Sequence, residues 1–161
     1  MGCKEKYSMD RLDETDLKIL RALQNNSNLT TKELAERVHL STTPVFERLR
    51  RLQNDGYIKR YIAILDAEKL HYGFMVFCQV KLKQVNAQIA REFTEAVDGM
   101  AEVVECYNTS GEFDYLLKIH VTDMTVYRNF VLNRLGTIDC LASLQSIFVM
   151  DEIKHTYGIP I

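Results

Sequence analysis

Residues 30–52, TTKELAERVHLSTTPVFERLRRL, constrain this chain more than any other stretch. They read as two short helices separated by a tight turn. Thr30 caps the first helix, and Glu33 three residues on completes a reciprocal capping box. Leu29, just outside, is placed to staple onto Leu34. Leu34, Ala35 and Val38 form an apolar stripe at helical spacing. His39 and Leu40 fall in the turn. Ser41 is expected to cap the second helix, with Pro44 in its first turn, where a missing N–H does no harm. Val45, Leu49 and Leu52 follow at i, i+4 and i+7 and face a core. At about 100° per residue the opposite face carries Thr43, Glu47 and Arg50, flanked by Phe46 and Arg51. Thr42 lies at the edge of the helix start, and Arg48 lies beside the apolar stripe, partly covered.

Two capped helices, a turn of fixed length and a basic exposed second helix are the layout of a helix-turn-helix. Arginines neutralise phosphates or fork onto guanine, threonines near a helix start reach phosphates or a thymine methyl, and Glu47 can accept from cytosine N4. The candidate DNA contacts are therefore Ser41, Thr42, Thr43, Glu47, Arg48, Arg50 and Arg51. A plain helical hairpin with a solvated charged face is the blander reading, because RLRR alone is a weak signal.

Charge divides the chain in the same sense. The net charge of −2 suits a DNA binder poorly until the chain is split. Residues 1–60 hold 12 Lys or Arg against 9 Asp or Glu, a net of +3, and residues 61–161 hold 8 against 13, a net of −5. A basic DNA-binding part and an acidic part with another task follow. The 161 residues suffice for two small domains. A further helix precedes the motif, capped by Asp13 with Asp16 at its third position. Leu17, Ile19, Leu20 and Leu23 share an arc, so three helices close one small core. After Asn54-Asp55-Gly56, a turn signal, YIKRYIAILD reads as a strand, a wing in which Lys59 and Arg60 either touch the phosphate backbone or form a plain exposed turn. Residues 12–65 are the expected DNA-binding domain and 66–73 a connector.

Residues 74–154 alternate strands and helices. FMVFCQVKLK (74–83) is a strand with Val76, Cys78, Val80 and Leu82 on one face. Asn86 opens a helix with Ile89, Phe93 and Val97, ending at Asp98-Gly99. EVVECYNT (102–109) and YLLKIHV (115–121) are strands about the turn SGEFD. Asp123 caps a helix with the stripe Met124, Tyr127, Val131 and Leu135, which Gly136 stops. SLQSIFVMDEI (143–153) is the last strand. The order β-α-β-β-α-β predicts an antiparallel ferredoxin-like sheet with both helices on one face. The class is α+β: an N-terminal three-helix, winged-helix-like helix-turn-helix domain and a C-terminal ferredoxin-like domain. The other sheet face, with Phe77, Gln79, Lys81, Tyr107, Ile147 and Val149 as candidates, is left for a partner. A symmetric sheet-to-sheet dimer covers it. Cys3, Cys78, Cys106 and Cys140 are dispersed, as are the four histidines, so no structural metal site is expected and reduced cysteines are. No apolar run is long enough for a bilayer, and residues 1–10, MGCKEKYSMD, read as a frayed tail without the apolar core of a signal peptide. A cytoplasmic location, without membrane contact, is the expectation.

The motifs LDETDLKIL, ELAERVHLSTTPVFERLRRLQNDGYI, SGEFDYLLKI and FVMDEIK, in this order from Leu12 to Lys154, resemble the Lrp/AsnC (leucine-responsive, feast/famine) family of bacterial transcription regulators. The leucine-responsive branch is the nearest likeness. The resemblance implies a homodimer, often assembled further into tetramers or octamers, that wraps or bends double-stranded DNA. It also implies tuning by a small effector, usually an amino acid, and no cofactor. The family's sensing surface maps onto the turn from Asn108 to Asp114, with Asn108, Thr109, Gly111 and Asp114 as its candidates, and onto nearby residues such as Met124 and Ile147 to Val149. Gly111 and Asp114 stand in the motif positions, whereas the side chains at Asn108 and Thr109, and the sequence after Lys154, depart from the family pattern.

The turn's own chemistry is consistent with that. N–H groups around Gly111 can receive a carboxylate, and Asp114 can pair with an α-ammonium. A tight hairpin in which Asp114 only bonds local backbone is the alternative from residues alone. An amino-acid-binding module, or a small enzyme without DNA activity, is the competing functional class. No nucleophile triad, paired carboxylate motif or phosphate loop stands out in the sequence, and Asp151-Glu152, adjacent on an expected strand, point to opposite faces.

Overall fold

The first helix begins where the capping chemistry places it. In the computed structural model, which describes residues 12–161, Asp13 accepts the N–H of Asp16 (2.8 Å), and Asp16 reaches back to the N–H of Asp13 (3.1 Å). The tail expected over residues 1–10 lies outside the described residues. Helix α1 spans Glu14–Asn25, α2 Thr31–Val38 and α3 Thr42–Asn54. Thr30 and Glu33 form the capping box of α2, and His39 ends that helix in the left-handed region at φ 56°. Ser41 has the extended backbone of an N-cap, but its side chain makes no capping bond, so the cap expected there is only conformational. Ile19, Leu34, Val45 and Leu52 are fully buried together, with Leu29, Leu49 and Tyr57 packed around them. Each such side chain contributes on the order of 1.5–3 kcal/mol by leaving water.

Residues 57–66 form no strand, against the sequence expectation. Tyr61, Ile62, Ile64 and Leu65 are exposed instead. The segment has strand-forming residues but, among the described residues, no neighbouring strand to bond it. By compactness, residues 12–64 group with Lys154–Ile161, and Leu65–Ile153 form the second unit. The returning segment lies along α1. The Gln24 amide and the Ile159 peptide exchange two hydrogen bonds (2.9 and 3.1 Å), and Arg21 Nε donates to the Ile161 carbonyl (2.7 Å).

The second unit is a four-stranded antiparallel sheet in the order β2-β3-β1-β4. Its strands are β1 (Phe74–Leu82), β2 (Val103–Asn108), β3 (Tyr115–Val121) and β4 (Leu141–Phe148). Helices α4 (Ala87–Asp98) and α5 (Met124–Asn133) connect β1 to β2 and β3 to β4. This is the ferredoxin-like order. Val76, Cys78, Val80 and Leu82 of β1 and Tyr115, Leu117, Ile119 and Val121 of β3 pack under the helices against Phe93, Val97, Tyr127 and Phe130. Phe93 lies against Tyr115 at 4.6 Å between ring centres. Two details differ from expectation. Met124 of the expected stripe is exposed, whereas Tyr127 and Leu135 are buried as expected, Val131 packs partly buried against the core, and Phe130 joins them. Strand β4 ends at Phe148, so Asp151 and Glu152 lie on irregular chain rather than on opposite faces of a strand.

The strand register sets the other face. Phe77 is opposite Lys118 on one side and Ile147 on the other, and Gln79 is opposite Leu116 and Gln145. Glu105 and Tyr107 of β2 pair with Lys118 and Leu116. Val149 lies beyond the strand, its N–H 3.3 Å from the Met75 carbonyl. Lys118 is only 7% exposed, and its ammonium is 3.5 Å from Glu105. Cys78 and Cys140 are buried and Cys106 is exposed, all three as free thiols. Burial pushes the Cys78 thiol up to about 11.

The helix caps carry a pH prediction. Backbone N–H groups of Asp16, Thr30 and Val126 hold the carboxyls of Asp13, Glu33 and Asp123 below their ordinary values of 3.8, 4.5 and 3.8. Groups with a lowered folded pKa add stability above their unfolded values and lose it as pH falls through the folded ones. The melting temperature is therefore expected to drop progressively below about pH 4.5. An Asp13→Asn, Asp123→Asn variant should show a shallower acid limb when melted at a series of pH values. An unchanged limb would remove these caps from the explanation.

Candidate nucleic-acid interface and ligand cleft

The exposed side of α3 is built by the burial of Val45 and Leu52, which fixes the rotation of the helix. Thr43, Glu47 and Arg50 then point to solvent, with Ser41 and Thr42 exposed at the N-terminal end and Phe46 beside them. Five of the seven candidate DNA contacts thus share one open surface.

Arg48 and Arg51 are different. Arg48 Nη1 donates to Asp13 Oδ2 (2.5 Å) and to Asp16 Oδ1 (2.8 Å), and its side chain is 28% exposed. Arg51 Nη2 donates to Asp16 Oδ2, and its side chain is 47% exposed. The Asp16 carboxylate, 1% exposed, is the hub of this cluster. The bond to Asp16, then the one to Asp13, pushes the Arg48 guanidinium further towards its charged form. The role of Asp16 beyond capping was not visible in the sequence. A bond across 32 residues leaves no local pattern.

The effector candidates divide. Asn108, Thr109, Gly111 and Asp114 lie together on the β2–β3 turn. Asn108 Nδ2 and the Thr109 N–H both donate to the Asp114 carbonyl (2.9 Å each), and Thr109 Oγ1 donates to the Phe113 carbonyl (2.9 Å). Gly111 has φ +129°, which side-chain-bearing residues rarely adopt. Asp114 ties the turn to β1: its N–H donates to the Val80 carbonyl (2.9 Å), and its Oδ2 accepts the Leu82 N–H (2.8 Å). Lys81 Nζ is 3.5 Å from its Oδ1. Met124 lies past the far end of β3, seven residues long and so about 20 Å away. Ile147 is on the open sheet face, opposite Phe77. One chain therefore does not gather all six. Beside the turn is a 390 Å³ cleft lined by Gln79, Thr109, Ser110, Glu112, Phe113, Leu116 and Gln145. Phe113 belongs to the turn the sequence points to, Gln79 to the expected open partner face, and Leu116 and Gln145 carry no site signal in the sequence. The strand register that places Gln79, Leu116 and Gln145 side by side is a long-range property.

A helix-turn-helix unit followed in the chain by a ferredoxin-like domain defines the class. Residues 12–59 match the family "Winged helix-turn-helix DNA-binding", and residues 75–159 match "Lrp/AsnC ligand binding domain". The DNA-binding transcriptional activator DecR of Escherichia coli is 36% identical over 150 residues, covering 93% of this chain and 99% of that protein. The leucine-responsive regulatory protein of Escherichia coli is 37% identical over 145 residues, covering 90% and 88%. The crystal structure of a Neisseria meningitidis transcriptional regulator in complex with L-Met superposes with a TM-score of 0.90 at 40% identity. It covers 92% of this chain and 96% of that one. The chain belongs to the Lrp/AsnC family of DNA-binding transcription regulators.

Among the described residues no helix is long and apolar enough to cross a membrane, and no group of His, Cys, Asp and Glu is placed to hold a metal ion.

Proposed function

We propose that this regulator binds double-stranded DNA as a homodimer through the solvent face of α3, and that an amino acid at the β2–β3 turn tunes it. The observation that carries the DNA part is the common exposure of Thr43, Glu47 and Arg50 on a helix whose opposite side is buried. That is the geometry a major groove receives. The homodimer forms by pairing the open sheet faces around Phe77 and Ile147, which sets two α3 helices on one two-fold site. Half-sites spaced by whole helical turns follow. Association beyond the dimer, to tetramer or octamer, is in keeping with the family. The chain acts as a regulator, not an enzyme, in the cytoplasm.

The effector reading rests on the turn. The N–H groups of Ser110, Gly111, Glu112 and Phe113 have no acceptor among the described residues, and Ser110, Glu112 and Phe113 line the cleft. A carboxylate is the ligand that a run of such donors suits. Gln79, Gln145 and Glu112 supply acceptors for an ammonium, and Phe113 and Leu116 supply an apolar wall. Asp114 serves by holding the turn on β1. The neighbouring Neisseria meningitidis regulator was crystallised with L-Met, which supports an amino acid of similar size.

A thermal-shift series with the twenty amino acids tests this, because a ligand of the native state raises its melting temperature. One or a few are expected to do so. Asp114→Ala should cost about 1–3 kcal/mol through the orphaned Leu82 N–H and remove the ligand-dependent shift. A variant that keeps the full shift, and the full effect of ligand on DNA binding, excludes the turn as the site.

A further inference from the structure

We infer that Asp16 is a positioning residue for DNA: its buried carboxylate holds one edge of the Arg51 guanidinium so that the other edge faces a phosphate of the duplex. The inference rests on the assignment of α3 to the groove and adds to it a residue from another helix.

The geometry separates the two arginines of the cluster. Arg48 gives Nη1 to both Asp13 and Asp16 and is the more covered of the two. It is a latch between α1 and α3, and its charge is matched by two carboxylates of its own chain. Arg51 gives only Nη2, to Asp16 Oδ2. Its remaining N–H groups have no partner among the described residues, and nearly half of the side chain is open to solvent. A guanidinium carries five donors in a rigid fork, so fixing one nitrogen fixes the direction of the rest. An unheld arginine loses rotamer freedom when it meets a phosphate, whereas one already held has lost it beforehand. Asp16 is itself fixed. It sits in the capping box of α1, where its Oδ2 also accepts the Asp13 N–H. It is fully buried, so neither water nor salt competes for it. The chain from capped helix start, to buried carboxylate, to half-open guanidinium is therefore stiff.

Arg51 then contributes a phosphate contact, which is blind to base sequence. Arg48, although on the same helix, contributes no phosphate contact.

The test measures binding of the full-length protein to two labelled duplexes, one from upstream of its own coding sequence and one unrelated, across a salt series. Each phosphate contact adds about 0.9 to the slope of log affinity against log salt. Asp16→Asn, measured well below its melting temperature with unchanged helical circular dichroism, is expected to bind both duplexes at least tenfold more weakly. Its slope should fall towards that of Arg51→Ala. Arg48→Ala is expected to melt earlier but keep the wild-type slope. Should Asp16→Asn not fold, Arg51→Lys decides: it keeps the charge and loses the fork, and is expected to keep most of the slope but to bind both duplexes several-fold more weakly. A wild-type slope in Asp16→Asn, or wild-type affinity in Arg51→Lys, overturns the inference. If instead Arg50→Ala and Arg51→Ala together leave binding intact, the groove assignment itself has failed, and the two failures are distinct.

Discussion

Replacing Arg50 and Arg51 together with alanine is expected to lower affinity for the regulator's own upstream DNA by at least about 100-fold at physiological salt. An arginine forked onto guanine, the role open to Arg50, is worth on the order of 1–3 kcal/mol, Arg51 adds a phosphate contact, and the proposed dimer loses both from each subunit. Arg50 is exposed on the α3 face and Arg51 on its flank, so neither removal leaves a cavity. The loss of Arg51 does leave Asp16 with one partner fewer, and a modest fall in melting temperature accompanies it. Electrophoretic mobility shift across a salt series reads the effect, and the slope of log affinity against log salt should fall by about 0.9 for each phosphate no longer neutralised. Specific binding unchanged in the double variant would mean that α3 is not the reading helix.

That surface was legible in the sequence because helical periodicity reports rotation. Once Val45, Leu49 and Leu52 are assigned to the core, Thr43, Glu47 and Arg50 can only point outwards. Caps were legible for the same local reason: Asp13, Thr30, Asn86 and Asp123 each bond N–H groups two or three residues away. The strand order, and the alternation of Val76, Cys78 and Val80, follow from a period of two. What failed needed a partner from elsewhere. Residues 57–66 have the composition of a strand, yet a strand exists only through a neighbour's hydrogen bonds, and none is supplied among the described residues. The segment 154–161 meets α1 through main-chain atoms of Ile159 and Ile161, which no side-chain pattern announces. In the sequence Asp16 is only the third residue of a helix capped by Asp13. It is buried because two arginines of another helix converge on it, and a pairing of that range has no period. The ligand cleft was half legible: the turn stands out through Gly111, whereas Gln79 and Gln145 join it only through the register of β1 with β4.

Phe77→Glu is expected to split the proposed dimer, weakening self-association by more than about 100-fold, because an unpaired charge buried in an interface costs several kcal/mol. Phe77 lies on the central strand β1, between Lys118 and Ile147, at the middle of the open face. Its neighbours are mostly apolar or already matched. The Lys118 ammonium is within 3.5 Å of Glu105, so the new carboxylate must compete with an existing partner. The substitution spares the core, since Phe77 points away from the side packed by Phe93 and Tyr127. The folded unit should therefore survive, with near-native circular dichroism, while sedimentation equilibrium reports a lower mass. DNA affinity should fall with it, because a two-fold site bound by one α3 loses the gain of tethering the second. Ile147→Glu, from the adjacent strand, should act in the same direction. A folded Phe77→Glu protein of unchanged mass would place the dimer contact on another surface and leave the open face to a different partner.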